Sequence, residues 1–152
     1  KIYNMKSIFN TTDNQEIITR INTLTPHSQA LWGKMSVDQM LKHINDAVIV
    51  SFNEKELKVP FVFKILGRLM KGSVLKQPEF AKNSPTAKEF KYVENFDFEI
   101  VKNELISNFS RFQQGEQAIL CKNHPFWGKM NAEDWNNLQW KHVDHHLRQF
   151  GV

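Results

Sequence analysis

Apolar residues recur at helical spacing in four long segments of the chain, and each of these segments predicts an α-helix. The predicted helices span residues 13–23, 36–52, 96–114 and 131–150. Three of them begin at residues that can cap a helix, namely Thr12 or Asp13, Ser36 and Asn131. Three are followed by residues that end helices, namely Pro26, Gly115 and Gly151.

A fifth apolar segment, residues 61–70, predicts a shorter helix that ends near Gly72. Lys64, Arg68 and Lys71 fall on one face of it, as they would in a helix that rests on a membrane surface. Because the segment is short and carries few charges, we expect instead a helix that covers the core and leaves a basic edge in solvent.

Residues 76–92 contain Pro78, Asn83 and Pro85 and predict a long irregular connection. Loops of this length in a small domain often form a lid or a pocket wall. No segment alternates apolar and polar residues over the length of a strand, so we expect no sheet beyond an isolated bridge. The sequence therefore predicts one all-α domain over residues 1–152, an up-down four-helix bundle with a short extra helix between helices 2 and 3.

Composition and charge indicate where the protein is located and which classes of partner it lacks. The chain has 152 residues and a single cysteine, Cys121, which excludes an intrachain disulfide and fits the cytoplasm. The net charge of +4 is spread along the chain, so we expect no binding to nucleic acid. No apolar run reaches the roughly 20 residues of a membrane span, and the first residues lack the apolar stretch of a signal peptide. We expect a cytoplasmic protein with no membrane partner.

Two stretches of the sequence repeat each other. Trp-Gly-Lys-Met occurs at residues 32–35 before Ser36, and again at residues 127–130 before Asn131. Both copies come directly before a predicted helix cap, and an acidic residue follows in the first turn. This repetition predicts that the second and last main helices start in equivalent ways.

Three histidines have matching phases on these two helices. His43 lies seven residues after Ser36, and His142 and His146 lie eleven and fifteen residues after Asn131. At about 100° per residue these positions fall on nearly the same face relative to each cap. Two histidines one turn apart can bind one ion, and His43 would supply a third ligand from a second helix. His145 should point away from this face.

Three neutral imidazoles with open positions are typical of a catalytic metal site, because structural zinc sites usually have four protein ligands. Imidazole ligands suit zinc or nickel, with iron or manganese as further candidates. Asp46, His124 and Gln149 are candidate catalytic residues: Asp46 as a base or a polar residue at the rim, His124 at the mouth of the pocket and Gln149 as a hydrogen-bond partner of a ligand. Cys121 has no CxxC partner or activating neighbour, which argues against a nucleophile.

Four blocks of the chain resemble the DinB/YfiT-like superfamily, in an uncharacterised branch of the DUF1569 type. The blocks are Ser28 to Met35, Gln39 to His43, His124 to Phe126 and His142 to Gly151. The resemblance implies a four-helix bundle with a three-histidine metal site, whose ligands carried over to this chain are His43, His142 and His146. It also implies a homodimer or another small homo-oligomer, which apolar residues on several helix faces favour as well.

Characterised members of that superfamily include low-molecular-weight thiol transferases and metal-dependent hydrolases. The resemblance therefore predicts an enzyme whose divalent ion activates a thiol or water for a small-molecule substrate. We expect the substrate to lie among Trp32, Trp127, Trp135 and the segment 76–92. A non-catalytic module that binds a metal or a small ligand remains the alternative, and so does a helical interaction protein whose histidines hold no ion.

Overall fold

The computed structural model describes residues 6–84 and 86–152, and this part of the chain is mostly helical, as the sequence predicts. The expectation that the first residues lack a signal peptide falls on residues 1–5 and lies outside the described part. The α-helices are α1 (Thr11–Thr23), α2 (Val37–Val50), α3 (Phe61–Lys76), α4 (Phe98–Ser110) and α5 (Ala132–Gln149). None of them is both long and apolar enough to cross a membrane.

Polar side chains cap the starts of α1, α2 and α5. The Asn10 side chain accepts a hydrogen bond from the backbone of Asp13, so α1 begins at Thr11 and the predicted caps Thr12 and Asp13 are wrong. Ser36 and Asn131 cap α2 and α5 as predicted, each within a capping box. These caps satisfy backbone N–H groups that the first turn leaves without partners.

Four of the helices share one apolar core. α2 packs on α4 and α5, and α1 packs on the same two helices. Each helix contributes large side chains that are almost fully buried, among them Ile17 and Ile21, Met40 and Ile44, Leu105 and Phe109, and Val143 and Leu147. Burying one such side chain stabilises the fold by roughly 1.5–3 kcal/mol. The core therefore fixes α2 and α5 against each other.

The ends of three helices differ from the prediction. α2 ends at Val50, and α4 ends at Ser110 and continues as a 3₁₀ turn, Arg111–Gln114, up to Gly115. α3 does not stop near Gly72 but runs on to Lys76. Its last carbonyls accept hydrogen bonds from the ammonium group of Lys141 on α5, a partner that the local sequence does not reveal.

A short hairpin precedes α5. β1 (Asn123–His124) pairs antiparallel with β2 (Gly128–Lys129), and the second Trp-Gly-Lys-Met copy runs through its turn and second strand. These two paired residues in each strand are slightly more strand structure than the isolated bridge that the sequence predicts. Gly33 and Gly128, the glycines of the two copies, both have positive φ angles, of 84° and 74°. The repeated sequence thus corresponds to a repeated backbone conformation before two helices.

The prediction that α3 covers the core is wrong. Only Gly67 and Leu75 of this helix are buried, and Phe61, Val62 and Leu69 are 74%, 71% and 78% exposed. The spacing of apolar residues predicts a helix correctly here but not the direction in which its apolar residues point.

Candidate metal centre

The structure brings His43 of α2 together with His142 and His146 of α5. One ring nitrogen from each residue lies within 4.8 Å of the other two. The Nε2 atoms of His43 and His142 are 2.9 Å apart, and the three ring centroids are separated by 4.6–4.9 Å. The three residues that the matched helix phases single out are therefore neighbours in space.

Helix geometry accounts for this convergence. His142 and His146 are one turn apart on α5, so their rings stand side by side. His43 approaches from α2 because the shared core holds α2 against α5. His43 and His146 are buried, and His142 is partly exposed. The cluster therefore has one side that solvent or a ligand can reach.

Hydrogen bonds orient two of the three rings. Nδ1 of His43 lies 3.2 Å from the carbonyl oxygen of Phe90 and donates to it. Nδ1 of His146 lies 2.8 Å from Oε1 of Gln149. The Gln149 amide has a fixed orientation because its Nε2 donates to the carbonyl of Trp32 at 2.7 Å. Both rings therefore carry their proton on Nδ1 and keep the lone pair on Nε2 for a ligand.

The three imidazoles are held in their neutral form. Burial lowers the pKa of His43 and lowers the pKa of His146 to about 3, and the neighbouring histidine rings add to the effect at His146. Burial, together with the repulsion that a proton on His142 would meet from protonated neighbouring histidines, lowers the pKa of His142 well below its ordinary value. Neutral imidazole is the form that binds a metal ion.

The donor set fits a divalent transition-metal ion. Each of the three histidines offers one ring nitrogen within 4.8 Å of the other two, and imidazole suits zinc, nickel, iron and copper. Among the described residues, no carboxylate or thiol joins this group. Three protein ligands leave a coordination position free, as in catalytic zinc sites.

His145 is not part of the cluster, in keeping with its expected direction. Its ring packs edge-on against Trp32 and Phe80, at centroid distances of 5.8 and 6.1 Å. It also lines a pocket of about 430 Å³, together with Trp32, Gln77, Glu79, Phe80, Ala81, Lys82 and Arg148. Phe80 contacts His142 as well, at 6.4 Å, so this pocket lies beside the histidine cluster.

Residues 77 and 79–82, from the segment expected to form a pocket wall, line this pocket, but only one of the three predicted tryptophans does. Trp32 lines the pocket. Trp135 is fully buried and donates a hydrogen bond to the carbonyl of Cys121, so its predicted contact with a substrate is wrong. Trp127 packs against Phe126 in the hairpin, with ring centroids 4.5 Å apart. Spacing alone could not distinguish a core aromatic from a pocket aromatic.

Asp46 is buried, and both of its carboxylate oxygens have hydrogen-bond donors. Its carboxylate accepts hydrogen bonds from Lys42, Lys55 and the Tyr92 hydroxyl. Burial alone would raise the pKa of Asp46, but these three donors together lower it. The bond to Tyr92 ties the end of segment 76–92 to α2, close to Phe90, whose carbonyl orients His43. The contacts of Asp46 thus hold the stretch that contains Phe90 and Tyr92 against α2.

His124 lies in the hairpin and contacts Trp135, with ring centroids 5.3 Å apart. Trp135 precedes His142 by two turns of α5, which is about 10 Å along the helix. Nδ1 of His124 accepts hydrogen bonds from the backbone N–H groups of Phe126 and Trp127. Its observed contacts are therefore those of a residue that shapes the turn, away from the pocket.

Sequence reasoning missed two groups at this site. The carbonyl of Phe90 orients His43, and a backbone group of this kind leaves no signal in the sequence. The sequence shows Gly33 only as part of a repeat, whereas in the structure a Cβ atom there would lie 2.5 Å from Nε2 of Gln149. The repeat itself could have indicated this role, because a glycine that recurs before two helix caps suggests a backbone conformation that other residues rarely adopt.

Gln139 lies one turn before His142 on α5, on the same buried face. Its Nε2 donates to the carbonyl of Ala47 and to the hydroxyl of Ser51, which fixes the direction of the amide. Its Oε1 is the one buried side-chain polar atom without a hydrogen-bond partner among the described residues. This oxygen is therefore a buried hydrogen-bond acceptor that the described residues leave unsatisfied.

A family model described as "Protein of unknown function (DUF1569)" matches residues 4–151 of the chain. No curated protein and no solved structure matches the chain.

Proposed function

The chain belongs to the DUF1569 family, and because that family's function is unknown we propose from the site itself that this protein is a metal-dependent enzyme. His43, His142 and His146 would hold one divalent ion. A bound ion of this kind supplies Lewis-acid chemistry, which lowers the pKa of a coordinated thiol or water towards neutrality. The convergence of three neutral imidazoles from two helices is the observation that carries the proposal.

The chain's own residues would organise the reaction around that ion. Phe90 and Gln149 hold two of the ligand rings in the productive tautomer. Phe80 packs against the partly exposed His142, and Trp32 and Phe80 supply apolar walls of the neighbouring pocket. A small substrate in this pocket would be shielded from water by these rings while its reacting group reaches the ion.

We propose a thiol transferase or a hydrolase, in accordance with the resemblance to the DinB/YfiT-like superfamily. Membership of that superfamily and its up-down four-helix bundle are part of the proposal. The pairing of α1 and α2 with α4 and α5 around one core supports such a bundle. Zinc or nickel is the expected ion, with iron or manganese as further candidates.

A second candidate is a non-catalytic module that holds a metal or small ligand. The same histidine cluster supports it, since sequestration needs the three ligands and nothing more. The pocket beside the cluster favours the enzyme, because a site that only stores an ion needs no room for a substrate.

Metal content tests the first step. Untagged protein should retain close to one ion per chain or regain it from solution, because the cluster offers three preoriented nitrogens. Replacing His142 or His146 with Ala should lower the affinity by a factor of about 10² or more, since a ligand and its geometry are lost. His145→Ala is the matched control and should retain the ion. Wild-type protein that binds none of the four candidate metals would contradict the proposal.

Pocket variants separate the enzyme from the storage module. Trp32→Ala and Phe80→Ala should keep the ion but lose turnover in assays of thiol transfer or ester and amide hydrolysis. Consumption of free thiol, or release of acid from an ester, is the readout. If metal-loaded protein turns over no substrate of either class while these variants bind metal as tightly as wild type, the storage module is the better description.

A further inference from the structure

Helix α3 exposes more large apolar side chains than any other described helix. Phe61, Val62 and Leu69 are more than two-thirds exposed, and four others exceed two-fifths, namely Phe63, Ile65, Leu66 and Met70. At about 100° per residue, Val62, Ile65, Leu66 and Leu69 form one continuous stripe. We call these four residues the α3 stripe.

Polar contacts fasten α3 to the rest of the protein and show which side faces inward. The ammonium group of Lys71 binds the Asp134 carboxylate and the Lys129 carbonyl. Lys141 donates to three carbonyls at the end of the helix. Gly67 rests on the backbone of Phe126, where a Cβ atom would come within 2.2 Å of the carbonyl oxygen. The α3 stripe lies on the opposite side and therefore faces outward.

The exposed apolar surface is large for a monomer. The seven side chains together expose on the order of 700 Å², whereas the largest apolar patch on a typical monomer is roughly 300–600 Å². Each partner in a stable interface of standard size contributes about 800 Å². The exposed surface of α3 is therefore close to what one half of a stable dimer needs, provided that Phe61, Phe63 and Met70 flank the α3 stripe in the interface.

The shape of the helix suits an antiparallel copy of itself. Bulky residues, Phe61 and Val62, stand at its start, and small ones, Gly72 and Ser73, stand near its end. A Cβ atom at Gly72 would meet nothing within 4 Å, although a glycine inside a helix is unfavourable by about 1 kcal/mol relative to alanine. In an antiparallel pair the bulky residues of each copy would lie over the small residues of the other.

We propose that a second copy of this chain packs on the α3 stripe, with the two α3 helices antiparallel across a two-fold axis. The stripe carries no charge, Lys71 is turned back onto its own chain, and the Arg68 side chain lies against Gly128 of the hairpin. A helix that binds a membrane surface directs its cations towards lipid headgroups, so this arrangement favours a protein partner. The proposal does not depend on the metal centre.

Sedimentation velocity of the full chain tests the interface. Wild type should sediment with twice the chain mass of 17.9 kDa. Leu69→Glu should weaken association roughly a hundredfold or more, because two carboxylates would lose water without gaining a partner. Its circular dichroism should not change, since Leu69 is 78% exposed in the single chain. Val93→Glu, at a residue that is 95% exposed and lies off α3, is the matched control and should remain dimeric.

Several results would overturn the proposal. A wild type that stays monomeric at high micromolar concentration would exclude the interface, and a dimer that survives Leu69→Glu would place it elsewhere. A monomer that cosediments with vesicles rich in anionic lipid, and loses this binding with Leu69→Glu, would assign the stripe to a membrane surface.

A spin label tests the antiparallel orientation. Lys76→Cys, combined with Cys121→Ser, places one label at the end of α3. In an antiparallel pair the two labels should be separated by roughly 25 Å along the helices, from the rise of 1.5 Å per residue. A parallel pair would bring the labels within about one helix-to-helix distance, roughly 10 Å. Such a short distance would overturn the antiparallel arrangement.

Discussion

At the scale of single residues, Gly33 links the backbone before α2 to a metal-ligand ring. Its φ angle of 84° disfavours any other residue, and the Gln149 amide occupies the space of a Cβ atom. Gly128 has the same kind of φ angle, but its nearest neighbour is the flexible Arg68 side chain, 3.1 Å from an added Cβ. Replacing Gly128 therefore measures the free-energy cost of the positive φ angle alone. Replacing Gly33 measures that cost together with the cost of displacing the Gln149 amide.

We predict that Gly33→Ala lowers both stability and metal affinity, whereas Gly128→Ala lowers stability alone. Each substitution should cost about 1–2 kcal/mol for a left-handed backbone conformation. Only Gly33→Ala also pushes the Gln149 amide away from His146, which should weaken metal binding tenfold or more. Chemical denaturation and a chelator competition measure the two effects. Equal metal affinities in both variants would contradict the role assigned to Gln149.

His124 should make stability depend on pH. Burial lowers its pKa in the folded protein to about 4, below the ordinary value of 6.5. The unfolded chain therefore binds a proton at a higher pH than the folded protein. The stabilisation is complete above pH 6.5 and is lost as the pH falls towards 4. His124→Asn should remove part of this loss, since an amide oxygen can accept the same two backbone N–H groups without titrating.

Thermal denaturation of metal-free protein between pH 7 and pH 4 checks this prediction. The buried ligand histidines titrate in the same direction, so the variant should flatten the profile only in part. A profile for His124→Asn that overlays that of wild type would show that His124 does not contribute.

The site was partly predictable at this scale. His43, His142 and His146 could be singled out because their distances from two helix caps are fixed by helix geometry. The carbonyl of Phe90 could not, because its position depends on how segment 76–92 folds back onto α2. The burial of Trp135 could not be distinguished from a pocket position, since both suit an aromatic residue on the inward face of α5.

At the scale of elements, the end of α3 depends on one side chain of another helix. The ammonium group of Lys141 is 2.7–2.8 Å from the carbonyls of Val74, Leu75 and Gln77. Burial lowers the pKa of Lys141, and the three carbonyl acceptors offset part of the cost of burying its ammonium group. The residues that directly follow α3 in the chain line the pocket beside the histidine cluster.

Replacing Lys141 with Met should therefore loosen the wall of the pocket. The volume is kept, but the last carbonyls of α3 lose their donor, which should cost about 1–3 kcal/mol. Limited proteolysis should cut residues 77–84 faster than in wild type. Lys91→Met, at an exposed lysine, is the control and should be cut at the wild-type rate. Unchanged proteolysis of the Lys141 variant would count against this anchor.

The helices were predictable from the spacing of apolar residues, but the orientation of α3 was not. A stripe of apolar residues indicates that something covers it, and in a single chain the core is the usual cover. In α3 the inward side is set by Gly67, Lys71 and Leu75 through contacts with the hairpin and α5. Those partners are distant in sequence, so the local pattern could not reveal them.

At the scale of the whole molecule, the histidine cluster connects α2 to α5 across the shared core. A ligand that binds only the folded protein stabilises it by about 2.7 kcal/mol at a concentration of 100 times Kd. For a chain of this size that corresponds to a rise in melting temperature of roughly 5–10 °C. We predict such a rise when zinc or nickel is added to metal-free protein.

The same titration of His142→Ala should give no comparable rise, and His145→Ala should behave as wild type. Differential scanning calorimetry under matched buffer conditions provides the measurement. If the melting temperature of wild type does not respond to any of the candidate ions, the cluster does not bind them in the folded state.

His43 and His142 are 99 positions apart in the sequence, yet their ring nitrogens lie 2.9 Å apart. A single cut within residues 77–84 would leave α1, α2 and α3 on one fragment and α4 and α5 on the other. The first fragment would then carry one metal ligand and the second fragment two. Neither fragment would hold the ion well alone, so reassembly of the cut protein should become dependent on metal, and the two fragments could serve as the halves of a split reporter for that ion.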